Sequence, residues 1–122
     1  MNAIKRLAGS RLLRTVFWAA TLFAFVMAIL PQPPALPGEP SDKVQHVFAF
    51  AVLGLLAGLA YPGVRIAMLL VGLALLGGAI EIVQLVPALG RDSEIMDWIA
   101  DIVAAAIALA IARLLLARGD TQ

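Results

Sequence analysis

The stretch Ser41-Asp42-Lys43-Val44-Gln45-His46 is the polar beginning of a segment that then continues without another charged residue to Tyr61. It contains the single histidine of the chain. Ser41 is a favourable N-cap, and Asp42 would follow in the first turn, where a negative charge complements the helix dipole. Pro62-Gly63 makes a tight turn after the apolar part. We therefore predict a helix whose polar side chains are concentrated at its start.

The composition of the chain is that of a membrane protein. Of its 122 residues, 62% are hydrophobic and 14% are charged, whereas soluble domains have about 45–50% and about 25%. A soluble domain of this length could not bury so much apolar surface, so we predict one small membrane domain. The net charge of +1 gives no sign of nucleic-acid binding. The absence of cysteine excludes disulfides, thiolate metal sites and cysteine nucleophiles.

Four apolar segments are long enough to cross a bilayer. The first contains sixteen uncharged residues, 15–30, after a basic segment at residues 1–14. Prolines follow it where a signal peptide would have a small-residue cleavage site, so a transmembrane helix is favoured. Five prolines between residues 31 and 40 predict an extended loop. We predict an all-α integral membrane protein, a four-helix bundle with helices at about residues 15–30, 42–61, 65–86 and 94–116 and a tail at residues 117–122.

The distribution of basic residues predicts the orientation, because cytoplasmic loops are enriched in Lys and Arg. With the N-terminus inside, only Lys43 and Arg91 lie outside. The inner side then holds seven basic residues: Lys5, Arg6, Arg11, Arg14, Arg65, Arg113 and Arg118. Both termini are therefore expected in the cytoplasm.

Small residues predict which helices are neighbours. Gly54 and Gly58 form a GxxxG pair on the second helix, and Ala104, Ala108 and Ala112 recur every four residues on the fourth. Such faces let two helix backbones approach closely in a membrane. We expect the second and fourth helices to pack together.

The polar residues of the predicted spans fall in one layer at the outer end. Asp42 and His46, Glu81 and Gln84, and Asp97 and Asp101 are spaced by three or four residues, so each pair shares one face of its helix. A charge at the bilayer centre costs about 2.5–3.5 kcal/mol, so three polar faces are expected to be buried against one another. The predicted cluster, with two cations at its rim, consists of Asp42, Lys43, His46, Glu81, Gln84, Arg91, Asp97 and Asp101.

Four motifs in this order resemble the VanZ-like family of small bacterial membrane proteins. They are Asp42-Lys43-Val44-Gln45-His46 with Phe48 and Phe50, Glu81-Ile82-Val83-Gln84, the segment from Pro87 to Arg91, and Asp97-Trp98-Ile99-Ala100-Asp101. The family pattern has DKxxH followed by aromatics, ExxQ, an arginine after a proline turn, and DxxAN before a small-residue helix. The resemblance covers roughly residues 41–115, and this chain departs from it with Asp101 in place of the asparagine and with Ala104 to Ala106 in place of glycines.

The resemblance implies a multi-pass protein of the bacterial inner (cytoplasmic) membrane that is associated with the cell envelope. The family is named for a protein associated with teicoplanin resistance, and some members are implicated in resistance to other glycopeptides or lipopeptides. The implied partners are membrane lipids, a cell-envelope precursor, a lipid-like ligand or a glycopeptide. All eight cluster positions match the family pattern except Asp101.

Three classes of function stay open. The first, which we prefer, is a binding or protective module whose outward-facing polar pocket engages an envelope component or lipid-like ligand. The second is an intramembrane enzyme that uses Glu81 and His46 as an acid/base pair on a lipid-linked substrate. The third is a proton-coupled transporter, which would need to form a homo-oligomer. GxSxG, P-loop and HExxH motifs do not occur, so the sequence leaves open whether the chain is an enzyme.

Each candidate side chain also has a structural explanation. His46 is either a general acid/base, since imidazole titrates near neutral pH, or an interfacial hydrogen-bonding group for Glu81 or Asp97. Glu81 is either a functional intramembrane carboxylate or a tether between helices. A metal site drawn from His46, Glu81, Asp97 and Asp101 has one nitrogen among carboxylates and no characteristic spacing, so the sequence predicts no metal and no other cofactor.

Overall fold

The computed structural model describes residues 3–31, 42–90 and 94–119, which are all-helical with no strand in these ranges. The helices are α1 (Ala3–Leu7), α2 (Arg11–Ile29), α3 (Asp42–Ala60), α4 (Ile66–Val83) and α5 (Ile95–Gly119), with a short 3₁₀ turn at Pro87–Leu89. The four helices α2 to α5 are long and apolar enough to cross a membrane. The predicted all-α class and the four predicted spans are confirmed. The predicted loop at residues 31–40 and the predicted N-cap Ser41 lie outside the described residues, apart from Pro31.

The outward surfaces of these helices are apolar. Leu22, Phe23, Met68 and Leu75 are each more than 60% exposed. A soluble protein rarely exposes so many large hydrophobic side chains together, whereas lipid tails solvate them without cost. The chain is therefore a multi-pass membrane protein.

The first span, expected at about residues 15–30, corresponds to α2, which begins four residues earlier at Arg11. Ser10 is the N-cap of α2, and its Oγ accepts a hydrogen bond from the Leu13 N–H at 3.1 Å. Gly9 adopts a left-handed φ of 73° that separates α1 from α2, and its N–H donates to the Leu59 carbonyl at 2.9 Å. The 19 residues of α2 span about 28 Å, close to the thickness of a bilayer core.

Two other predicted helix ends also need correction. The third span was expected to reach residue 86, but α4 ends at Val83. Pro87 explains this end, because a proline ring clashes with the carbonyl four residues earlier in a helix. The fourth span was expected to end at residue 116, but α5 continues to Gly119 through Ala117 and Arg118, which favour helix. Part of the predicted tail is therefore helical.

The centre of the bundle is α3, which packs most extensively against α5 and also contacts α2 and α4. A Cβ at Gly54 would lie 2.7 Å from the Ala105 carbonyl oxygen, and a Cβ at Gly58 would lie 2.5 Å from the Ala112 Cβ. The predicted pairing of these two helices is confirmed. The alanines on the α5 face are Ala105, Ala108 and Ala112, which are buried, whereas the predicted Ala104 is partly exposed.

The bundle has two ends with different chemistry. We call the end where α2 and α4 finish and α3 and α5 begin the connection end, and the opposite end the terminal end. At the terminal end, the Arg113 guanidinium donates to the carbonyls of Tyr61 at 3.0 Å, Pro62 at 2.6 Å and Val64 at 2.5 Å. Trp18 Nε1 donates to the Tyr61 hydroxyl at 2.8 Å. These bonds tie α2 and α5 to the turn between α3 and α4.

Candidate polar site at the connection end

Three helices contribute to the candidate site near their connection ends. His46 lies four residues after the start of α3, Glu81 lies two residues before the end of α4, and Asp101 lies six residues after the start of α5. At about 1.5 Å per residue, all three are within ~9 Å of a helix end. Glu81 is closer to its helix end than the sequence predicted, because α4 stops before Pro87.

His46, Glu81 and Asp101 converge. One imidazole nitrogen and one oxygen from each carboxylate lie within 4.8 Å of one another. Asp101 is 2% exposed, whereas His46 and Glu81 are partly buried. We call these three residues the triad. Asp101 is thus its most buried member.

Lys43 and Asp97 form a separate pair. The Lys43 amine lies 3.5 Å from a carboxylate oxygen of Asp97, and the lysine is exposed. An exposed pair of this kind contributes about 0–1 kcal/mol to stability. The sequence suggested that Asp97 could face His46, but Asp97 is outside the triad and pairs with the rim lysine.

Gln84 is placed to hold helices together. It is 1% exposed, and its Nε2 donates to the Ala28 carbonyl at 2.9 Å. The bond joins the end of α4 to the end of α2. Gln84 Oε1 is buried and accepts no hydrogen bond within the described residues. Gln84 shares a helix face with Glu81, one turn away.

Two members of the predicted cluster cannot be placed. The side chain of Asp42 and the whole of Arg91 lie outside the described residues. Of the eight predicted positions, the structure therefore brings three together in the triad, pairs Lys43 with Asp97, and links Gln84 to α2.

An apolar groove of about 370 Å³ runs beside the triad between α2 and α3. His46 and Gln45 are its polar lining residues. The other lining residues are Ala20, Phe23, Ala24, Met27, Ala28, Phe48, Ala49, Val52 and Leu53. From Ala20 to Ala28 the groove follows α2 for about 12 Å. One side of His46 therefore faces a lipid-like space, while the histidine also belongs to the triad.

Trp98 packs α5 against α4, a contact that the sequence did not predict. Its Nε1 donates to the Ala74 carbonyl at 2.9 Å. A Cβ added at Gly77 would lie 3.1 Å from the Trp98 ring, and Gly78 also borders the indole. The indole thus fits against a flat glycine surface on α4. Trp98 itself lies one turn before Asp101 in α5. The adjacent glycines Gly77-Gly78 were the available signal in the sequence.

The triad also has the donor types of a metal site. An imidazole nitrogen and two carboxylate oxygens are ligands that Zn²⁺ accepts in proteins. The sequence argued against a metal because the spacing was uncharacteristic. The three ligands come from three different helices, so their proximity depends on packing and leaves no pattern along the chain.

Fold and site together define a four-span helical membrane protein with a polar triad and an apolar groove at one end. No protein-family model matches the chain, and no curated protein or solved structure matches it either.

Proposed function

We propose that the chain binds a lipid-like or lipid-linked component of the cell envelope at its connection end. The observation that carries the proposal is the apolar groove whose lining includes His46, a member of the triad. An acyl or isoprenoid chain would occupy the groove, since binding pockets are mostly apolar with a few polar groups that fix orientation. The headgroup of the ligand would then meet the triad.

The charge of the triad favours a particular kind of headgroup. Two carboxylates attract hydrogen-bond donors such as hydroxyl, amide and amine groups and repel a bare anion. Sugar and peptide groups carry such donors. We therefore propose a glycosylated or peptide-bearing lipid as the ligand class, in preference to a simple anionic phospholipid.

The proposal includes an orientation and a biological setting. Both termini lie in the cytoplasm, so the triad opens to the outer face of the bacterial cytoplasmic membrane. Seven basic residues at the inner side against two at the outer side support this orientation. The resemblance to the VanZ-like family adds a contribution to glycopeptide or lipopeptide resistance, teicoplanin being the first antibiotic to test.

The experiment is native mass spectrometry of the purified protein, with solvent extraction of any retained lipid. Ala24→Phe places a ring in the groove, whereas Ala79→Phe adds the same ring on the exposed surface of α4 as a matched control. We expect a retained lipid in the wild type and the control and a loss of it in Ala24→Phe. The proposal is wrong if no lipid is retained or if Ala24→Phe retains it equally.

A second candidate function is an intramembrane acid/base enzyme. The observation that favours it is the proximity of the His46 nitrogen to a Glu81 oxygen, within 4.8 Å. Glu81→Gln is expected to keep the folded protein and its membrane level while abolishing any resistance phenotype. Loss of folded protein in that variant would instead identify Glu81 as a structural tether.

A further inference from the structure

We propose that His46, Glu81 and Asp101 bind a divalent transition-metal ion, and that Zn²⁺ fits them best. The inference deepens the proposed function, on which it rests, because the ion would lie in the same site beside the groove. It would also offer a coordination position to a hydroxyl or carbonyl oxygen of the sugar or peptide headgroup.

The geometry of the triad is close to that of a three-ligand zinc site. Zinc binds histidine nitrogen and carboxylate oxygen at about 2.0–2.2 Å, which places tetrahedral ligand atoms about 3.4 Å apart. The three ligand atoms lie within 4.8 Å of one another, so an ion would draw them together by at most about 1.4 Å. Glu81 is near the end of α4, partly exposed and on a long side chain, and it can move by this distance.

The charges also favour a cation. Two ionised carboxylates within one cluster repel each other, and a cation held between them would relieve that repulsion. Lys43, a basic residue at this end, is exposed and pairs with Asp97. The other described basic side chains of α2 to α5 are Arg11, Arg14, Arg65, Arg113 and Arg118, near the terminal end. A divalent ion would neutralise both carboxylates without protonating either.

The surroundings fit a site that keeps one position open. Three protein ligands leave the fourth tetrahedral position for water or a ligand oxygen, as in catalytic zinc sites. Gln84 Oε1 supplies a second, independent sign, since it is buried without a hydrogen-bond partner among the described residues and shares a helix face with Glu81. It could accept a hydrogen bond from a metal-bound water.

The donor set predicts the selectivity. A single imidazole nitrogen with two carboxylates suits a first-row transition metal, whereas Ca²⁺ and Mg²⁺ prefer about six or more oxygen ligands. We expect Zn²⁺ to bind at least about tenfold more tightly than Ca²⁺ or Mg²⁺.

The test uses the full chain in detergent, treated with a chelator and titrated with Zn²⁺ by calorimetry, with metal content measured after dialysis. We expect one Zn²⁺ per chain. Glu81→Gln and Asp101→Asn should weaken binding by about 100-fold or more, since even outer-shell changes cost about 10–100-fold. Glu94→Gln changes an exposed acid at the same end and should bind as the wild type does.

The outcomes separate this inference from the proposed function. The metal inference is overturned if wild-type protein takes up no stoichiometric Zn²⁺, or if both triad variants keep wild-type affinity while their helicity is unchanged. A lipid that stays bound in chelator-treated protein alongside no Zn²⁺ uptake would overturn the metal site and leave the proposed function standing. Stoichiometric Zn²⁺ binding without any retained lipid would support the metal site and overturn the lipid function.

Discussion

The contact between Gly58 on α3 and Ala112 on α5 offers a direct test of how the bundle is held together. A methyl group added in Gly58→Ala would lie 2.5 Å from the Ala112 Cβ, far inside ordinary contact distance. The neighbour is the first atom of a short side chain and cannot rotate away. The two helices must separate by about an ångström or distort locally.

The expected decrease in the free energy of unfolding of Gly58→Ala follows from the cost of overpacking. Inserting a methyl group into a well-packed contact costs about 1–3 kcal/mol. Alanine also has a higher helix propensity than glycine by about 1 kcal/mol, and this gain must be separated from the clash. Gly72→Ala provides the reference, because Gly72 is in α4 and an added Cβ there meets nothing within 4 Å. We expect Gly58→Ala to be about 1–3 kcal/mol less stable than Gly72→Ala.

The assay is reversible unfolding in mixed micelles with increasing dodecyl sulfate, followed by far-ultraviolet circular dichroism. The swap Gly58→Ala with Ala112→Gly removes the clashing Cβ and should recover most of the loss, since the next contact is at an ordinary 3.6 Å from Leu109. The proposed packing is refuted if Gly58→Ala is as stable as Gly72→Ala, or if the swap recovers nothing.

Three further predictions concern other contacts. Trp98→Phe keeps the ring but loses the hydrogen bond to the Ala74 carbonyl, so we expect a loss of about 0.5–1.5 kcal/mol in the same unfolding assay. Arg113→Met removes charged donors from three carbonyls around the α3–α4 turn and should cost about 1.5–3 kcal/mol more than Arg65→Met. In this cysteine-free chain, Pro62→Cys should react with an impermeant maleimide in inverted vesicles only, and labelling from outside intact cells would contradict the proposed orientation.

The sequence predicted the helices well because apolar runs and the prolines and glycines that end them are local signals. Gly54 and Gly58 also identified the correct neighbouring helix, since small residues must face another backbone to be useful. The alanine face was less certain because α5 has alanines at both 104 and 105. Which one turns inward depends on the rotation of the whole helix, and a GxxxG partner does not specify it.

The sequence predicted one polar cluster, whereas the structure places three of its residues in the triad and Lys43 and Asp97 in a separate pair. Asp97 and Asp101 share a face of α5, so periodicity could not choose between them. Their positions along α5 determine their partners. Asp97 lies one turn closer to the start of α5, where its carboxylate is 3.5 Å from the Lys43 amine. Asp101 lies about 6 Å deeper and joins His46 and Glu81. The sequence offered a metal site that included these three residues together with Asp97 but disfavoured it, because ligands from three helices leave no characteristic spacing along the chain.

The closest helix packing and the polar triad lie at opposite ends of the bundle. The close α3–α5 contact at Gly58 and the Arg113 bonds lie toward the terminal end, whereas the triad lies toward the connection end. Gln84 of the predicted cluster donates to the Ala28 carbonyl of α2, in the wall of the groove. The Gly58 contact and the Arg113 bonds do not involve the triad, so we expect substitutions in the triad to leave both intact. A change at Gln84 should instead loosen the contact between α2 and α4, because its side chain joins the end of α4 to the Ala28 carbonyl.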